Sequence, residues 1–299
     1  MTLGSVTPAL LATTWTTAGD CAPYPGRHLS PIPLRERIEA AAAAGFEAFG
    51  LLDYDVRHFL ESSDLTTLAE ILRDHGMTFL EAEFLTRWWT SGAERDESDA
   101  ARVFLFSVAE ALGVHHVKVA PDLDDPSAPD VDFWAEAFHE LAVDAAEHGT
   151  TVALEFLPMA NIGTLERARD VVTAAGHPAG GLLLDVWHLE RSGAEPDEVR
   201  QLPPELILAV ELDDGLTTPE GDPYDDTCYR RLLPGDGEFR VAEFAAAAMD
   251  AGFSGPWGVE IISEVHRHRR LEQVLPEVVA KTRTVLARAK ELRSNETRT

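Results

Sequence analysis

The sequence predicts an α/β fold, a single eight-stranded (β/α) TIM barrel, and two observations carry that expectation. Eight short apolar segments, each bounded by turn residues, read as buried parallel strands. Between them lie Ala- and Leu-rich amphipathic stretches, several of which end on a glycine just ahead of the next apolar run. Over 299 residues this alternation fits one barrel spanning residues 1–299, because such barrels reach this length as one unit. An open doubly wound sheet is the competing arrangement. Against it, no G-x-G-x-x-G follows the first strand and no phosphate-binding P-loop is present.

In chain order the expected strands are residues 9–15 (ALLATTW), 48–52 (AFGLL), 78–84 (TFLEAEF), 115–120 (HHVKVA), 151–157 (TVALEFL), 181–187 (GLLLDVW), 207–213 (ILAVELD) and 257–262 (WGVEII). The expected helices are 34–45, 65–76, 98–113, 132–149, 241–252 and a basic closing helix at about 271–292. The first five end on Gly45, Gly76, Gly113, Gly149 and Gly252, and the third opens on a Ser98–Asp99 cap. The tail from Ser294 is expected to fray.

Composition narrows the function classes. A net charge of −27 repels a polyphosphate surface, so nucleic acid is not an expected partner. No polybasic stretch and no long apolar run point to a membrane. The two cysteines, Cys21 and Cys228, give neither zinc spacing nor a disulfide framework, and residues 1–11 do not read as a signal peptide. A cytoplasmic protein is expected, and a homo-oligomer is left open.

In barrels of this kind chemistry gathers at the C-terminal ends of the strands. There the sequence places Glu155 (strand five), Asp185 (strand six), Glu211 and Asp213 (strand seven) and Glu260 (strand eight), with Glu81 and Glu83 on strand three and Lys118 on strand four. A carboxylate inside a buried strand is costly unless it is paired or bound to a metal. Any one of these could be a structural ion pair. Acids on four successive strands, with few cations among them, point instead to a divalent ion, and an all-oxygen shell suits Mn²⁺ or Mg²⁺ better than Zn²⁺.

Lys118 reads either as a substrate or charge-balancing contact or as a salt bridge with Glu83 or Glu155. Arg230 and Arg231 lie in the long loop after strand seven, where one reaches the substrate or both stay at the surface; Arg230 is the candidate substrate contact. Trp15, after strand one, and Trp88 and Trp89, after strand three, suit a wall for the apolar face of a sugar, or else loop and core packing.

Glu155, Asp185 with His188 in DVWH, the strand-seven position and Glu260 together resemble the sugar phosphate isomerase/epimerase family of the xylose isomerase-like TIM-barrel superfamily, over most of the chain. The segment RRLLPGDGEF (230–239), followed by a helix and GFSGPWGVEI, resembles that family's last third. The superfamily includes ketose 3-epimerases, inosose dehydratases and endonuclease IV. The resemblance implies that Glu155, Asp185, Glu211 and Glu260 hold a divalent metal, with Glu155 and Glu260 removing and returning a proton next to a carbonyl. It also implies that His188 hydrogen-bonds a substrate hydroxyl, although a structural histidine is the plain alternative.

One position departs from the pattern: the family usually has His, in some members Gln, where this chain has Glu211. Whether Glu211 coordinates directly or through water is left open. The expected activity is a metal-dependent isomerase or epimerase of a keto-sugar or related polyol. The alternative is a lyase on the same scaffold: inosose-type dehydration, or β-elimination from 3-oxo-glycosides and C-glycosides, where a small partner subunit accompanies some family members. A barrel repurposed for binding would have lost ligands, and three of the four standard positions are intact.

Overall fold

The computed structural model describes residues 7–296 apart from Pro25 and Pro126. The leader reading of residues 1–11 falls mostly outside the described residues; of the tail expected to fray from Ser294, residues 297–299 lie outside them, whereas Ser294–Glu296 continue the closing helix. Eight parallel strands close into one barrel in sequence order: β1 (Leu10–Ala12), β2 (Ala48–Leu52), β3 (Phe79–Leu85), β4 (His116–Val119), β5 (Thr151–Glu155), β6 (Gly180–Asp185), β7 (Ile207–Leu212) and β8 (Trp257–Val259). Closure comes from β1 lying against β8, Leu10 opposite Trp257 and Ala12 opposite Val259.

The helices form an outer ring. That at Leu34–Ala44 stops where Gly45 takes φ 99°, and that at Ala93–Leu112 stops where Gly113 takes φ 72°, a conformation open to glycine at little cost. Asp64 caps Leu65–Asp74 by accepting from the Thr67 amide at 2.8 Å. The closing helix, Leu271–Glu296, packs against Leu34–Ala44 and Val241–Asp250. The main apolar core fills the space between barrel and ring.

Several boundaries differ from expectation. Residues 13–15 are not strand: after Ala12 the chain turns into a short helix, Thr14–Thr17. It is held there because Thr16 Oγ1 donates to the Val259 carbonyl (2.7 Å) and accepts from the Ile261 amide (2.9 Å). Ser98 is not a cap, since that helix begins at Ala93; its hydroxyl ties the helix to the Thr86 carbonyl at 2.7 Å. Strand six ends at Asp185, whose carboxylate accepts from the Trp187 amide (2.7 Å) and so caps a helix at Val186–Ser192. Helices at Asp53–Leu60, Leu165–Ala175, Pro196–Arg200 and Pro223–Tyr229 were not expected.

The barrel interior is built in layers, because alternate residues of a strand face the same side. Ala153, Leu183 and Ala209 form a small apolar layer of their own. Two residues further along each strand stand Glu155, Asp185 and Glu211. Glycine on neighbouring strands makes room for the acids. A Cβ on Gly258 would lie 2.7 Å from Glu211 Cγ, and one on Gly50 would lie 2.7 Å from Glu81 Oε1.

Candidate metal centre and cavity

Seven buried carboxylates converge at the C-terminal end of the barrel: Glu81, Glu83, Glu155, Asp185, Glu211, Asp213 and Glu260. Two buried cations thread among them. Lys118 Nζ lies 2.5 Å from Glu211 Oε1, 3.0 Å from Glu260 Oε1, 3.5 Å from Glu81 Oε1 and 3.9 Å from Glu83 Oε2. Arg231 Nη1 lies 2.5 Å from Asp185 Oδ2, 2.7 Å from Asp213 Oδ2 and 3.1 Å from Glu260 Oε2. His188 Nε2 stands 3.4 Å from Glu155 Oε1 and 3.7 Å from Asp185 Oδ2, and His116 Nε2 stands 3.2 Å from Glu81 Oε2.

The four expected ligands do meet. Glu155, Asp185, Glu211 and Glu260 each offer an oxygen within 4.8 Å of the other three, and Glu155, Asp185 and His188 form a second such group. That spacing suits a divalent cation with metal–oxygen distances of about 2.0–2.6 Å. With all seven acids ionised, Lys118 and Arg231 would leave the cluster short of positive charge. Asp213 Oδ1, Glu83 Oε1 and both Glu211 oxygens have no hydrogen-bond partner among the described residues, although Glu211 is in ion contact with Lys118. Buried acids left in this state ask for a further positive charge.

The local fields differ from acid to acid. Burial would raise Asp185, but Arg231 and His188 beside it hold its carboxyl below the usual range. Burial and the neighbouring Asp185 push Asp213 well above it. Glu83 is pushed up to about 8, chiefly by burial and then by Glu260, Glu81 and Glu155, against the pull of Lys118.

Above these residues opens a cavity of about 590 Å³, counting its mouth. Glu83, Glu155, His188, Arg231 and Glu260 line it as polar groups, and Trp15, Phe84, Leu157, Met159 and Ile262 give it an apolar wall. Trp15 is therefore at the cavity, its indole N–H donating to Glu83 Oε2 at 3.1 Å. Lys118 and Glu211 lie outside that lining.

Besides Lys118, two expected substrate contacts are not brought to the cavity. Trp88 is buried against Trp89, Trp134 and Phe138, its N–H donating to the Ala120 carbonyl at 2.9 Å. Arg230 is half-exposed and pairs with Glu220 at 3.3 Å. Arg231 takes the inward place instead. Its amide donates to the Ile262 carbonyl and its neighbour Leu232 pairs with Asp214, which fixes this segment against the barrel mouth. Successive side chains then alternate, so only one of the two arginines faces in.

The sequence pattern that defines the xylose isomerase-like TIM barrel family matches residues 38–283. The chain belongs to that family. It is 24% identical over 236 residues to a 3-dehydroshikimate dehydratase of Pseudomonas putida, covering 78% of this chain and 37% of the relative. The chain thus spans little more than a third of that dehydratase. It is also 24% identical over 263 residues to an inosose isomerase of Bacillus velezensis, covering 85% of this chain and 92% of the relative. Among solved structures, the IOLI protein with a bound zinc atom superposes with a TM-score of 0.79 at 20% identity, over 94% of this chain and 99% of that one. Relatives of this family are named isomerases and dehydratases.

Proposed function

We propose that the protein binds one divalent cation on Glu155, Asp185 and Glu260, with Glu211 as fourth ligand, and removes a proton next to the carbonyl of a small keto-sugar or keto-cyclitol. The observation that carries this reading is the convergence of one carboxylate from each of four successive strands, β5 to β8, beneath a cavity. The cation, Mn²⁺ or Mg²⁺ by the all-carboxylate shell, supplies when bound the positive charge that steadies the developing enolate oxygen.

Glu155 and Glu260 both line the cavity and rise from strands on different sides of the barrel. One carboxylate takes the proton from the carbon next to the carbonyl and the other returns one, giving the epimer or isomer. His188, whose Nδ1 has no partner among the described residues, holds a substrate hydroxyl. Arg231 fixes Asp185 and Glu260 in place. A second reading, β-elimination after the same first step, is favoured by an additional buried acid in the cavity wall, Glu83.

The test is metal content together with deuterium uptake from heavy water into a panel of ketoses and 3-keto sugars. Wild type is expected to carry one ion per chain and to exchange the proton next to the carbonyl. Glu155→Gln and Glu260→Gln should abolish exchange. A protein that binds no divalent ion and variants that behave as wild type would refute the reading.

A further inference from the structure

Glu83 is in none of the ligand groups, yet the fold goes out of its way to present it. Strand β3 pairs with β4 as Glu81 opposite His116 and Ala82 opposite Val117, and resumes as Leu85 opposite Val119. Glu83 and Phe84 are thus two residues set against one, Lys118. Such a bulge re-aims side chains and is common beside active sites. In a regular strand, consecutive residues face opposite sides. Here Glu83 and Phe84 both line the cavity.

The carboxyl is buried and asymmetrically held. Its Oε2 accepts from the Trp15 indole at 3.1 Å, while Oε1 has no hydrogen-bond partner among the described residues. The charged groups facing it are Glu81 on its own strand, Lys118 on β4, Glu155 on β5 and Glu260 after β8. Lys118, the only cation of these, stands 3.9 Å away and sits closer to Glu211 and Glu260. A buried acid among three others, with its nearest cation engaged elsewhere and one oxygen without a hydrogen-bond partner among the described residues, stands in the cavity wall where a substrate oxygen would meet it.

We propose that Glu83 is the general acid that protonates the departing oxygen in a β-elimination, and that the substrate is a keto-sugar or keto-cyclitol bearing an oxygen substituent β to its carbonyl. This rests on the enolisation reading above. The carbon next to the carbonyl gives its proton to Glu155 or Glu260, and the C–H electron pair forms the enolate. As the enolate collapses, the carbonyl re-forms, a carbon–carbon double bond forms and the β C–O bond breaks. The leaving oxygen takes that electron pair and the proton of Glu83. The products are an unsaturated ketone and an alcohol or water. Solvent then returns a proton to Glu83 and removes one from the base, so no other reactant is needed. Trp15 is the positioning residue that holds the acid.

The experiment uses the Mn²⁺-loaded full chain and methyl, phenyl and 4-nitrophenyl 3-oxo-glucosides in heavy water. Deuterium in recovered substrate reports proton removal, and released alcohol or phenol reports elimination. With Glu83→Gln, methanol release should fall about 100-fold or more, whereas nitrophenolate, which leaves without a proton, should fall less than about 5-fold. For the methyl glycoside the ratio of exchange to release should rise accordingly. Glu83→Asp, which keeps an acid, should recover part of the methanol release. Equal losses across all three leaving groups, exchange and release falling together, or Glu83→Asp matching Glu83→Gln would overturn the assignment. Wild type that exchanges but releases nothing would overturn it while leaving enolisation intact. Wild type that does neither would sink both. Metal content and melting temperature of each variant keep a folding defect from passing for any of these.

Discussion

Two clusters of buried charge stand within the same barrel, and they are built on opposite principles. Beside the first strand, Arg37 is matched donor for acceptor. Its guanidinium ion-pairs with Asp55 Oδ2 and donates to Thr17 Oγ1 (3.2 Å), the Thr14 carbonyl (3.0 Å) and Thr14 Oγ1 (2.8 Å). Asp55 also accepts from the Ser30 amide at 3.1 Å. One charge meets one charge, and neither residue lines the cavity. At the strand ends, six acids share Lys118 and Arg231, Glu155 stands beside His188, and several oxygens have no hydrogen bond among the described residues. A balanced buried pair can serve the fold alone. An unbalanced one under a cavity leaves a vacancy of charge that something else must fill. Burial of ionised groups is common to both; the stoichiometry separates them.

The sharpest way to break the comparison is to remove one of the acids proposed to hold the cation. Asp185→Asn should abolish stoichiometric metal binding and lower deuterium exchange at least about 1,000-fold, a loss typical of residues that act as one catalytic unit. Plasma emission and mass spectrometry read the two effects. Next, Arg37→Met should strand Asp55 and lower stability by about 3–5 kcal/mol in urea unfolding. The folded fraction should still bind metal with wild-type stoichiometry. If Arg37→Met instead empties the metal site in folded protein, the two clusters are not separable as argued.

A smaller effect is expected at Lys118. Lys118→Met removes a partner of Glu211 and Glu260 and leaves the acids further out of balance. The metal-free protein should lose roughly 2 kcal/mol, while saturating Mn²⁺ should recover more stability than it adds to wild type. Melting curves with and without the ion check this. An equal metal-induced shift in both proteins would mean that Lys118 and the ion do not act on the same acids.

The barrel and the strand-end places of Glu155, Asp185, Glu211 and Glu260 were legible because strand periodicity and strand-end chemistry are local signals. Glu155 and Asp185 close their strands, each two residues before the expected end, and Glu260 follows β8 directly. What the sequence hid was pairing across the barrel. Lys118 was weighed against Glu83 or Glu155, yet its shortest contacts are Glu211 and Glu260, three and four strands away. Adjacent Arg230 and Arg231 carry no mark of parity, which is set by pairing with Ile262 and Asp214. The bulge at Glu83 is equally silent, since EAEFL alternates like any strand and only the register with β4 exposes the extra residue. The helix at Leu165–Ala175 is a plain omission, for Thr164 caps it in a readable way, accepting from the Arg167 amide at 3.3 Å.

The smallest effect concerns a third kind of buried group, one kept neutral. His266 is buried, with Nε2 2.8 Å from the Thr16 carbonyl, so the ring donates there and needs no counter-charge. Burial lowers its pKa below the ordinary value of 6.5. The unfolded chain therefore takes up a proton at a higher pH than the folded one. The stability this adds is present above about pH 6.5 and declines as pH falls towards the folded pKa, by at most about 1.4 kcal/mol per pH unit. His266→Gln cannot gain that proton, and an amide N–H can still reach the Thr16 carbonyl. Stability of the variant between pH 7 and 5 should fall less steeply than that of wild type. Parallel slopes would mean that His266 charges within the fold, and that the neutral case does not belong beside the balanced and unbalanced ones.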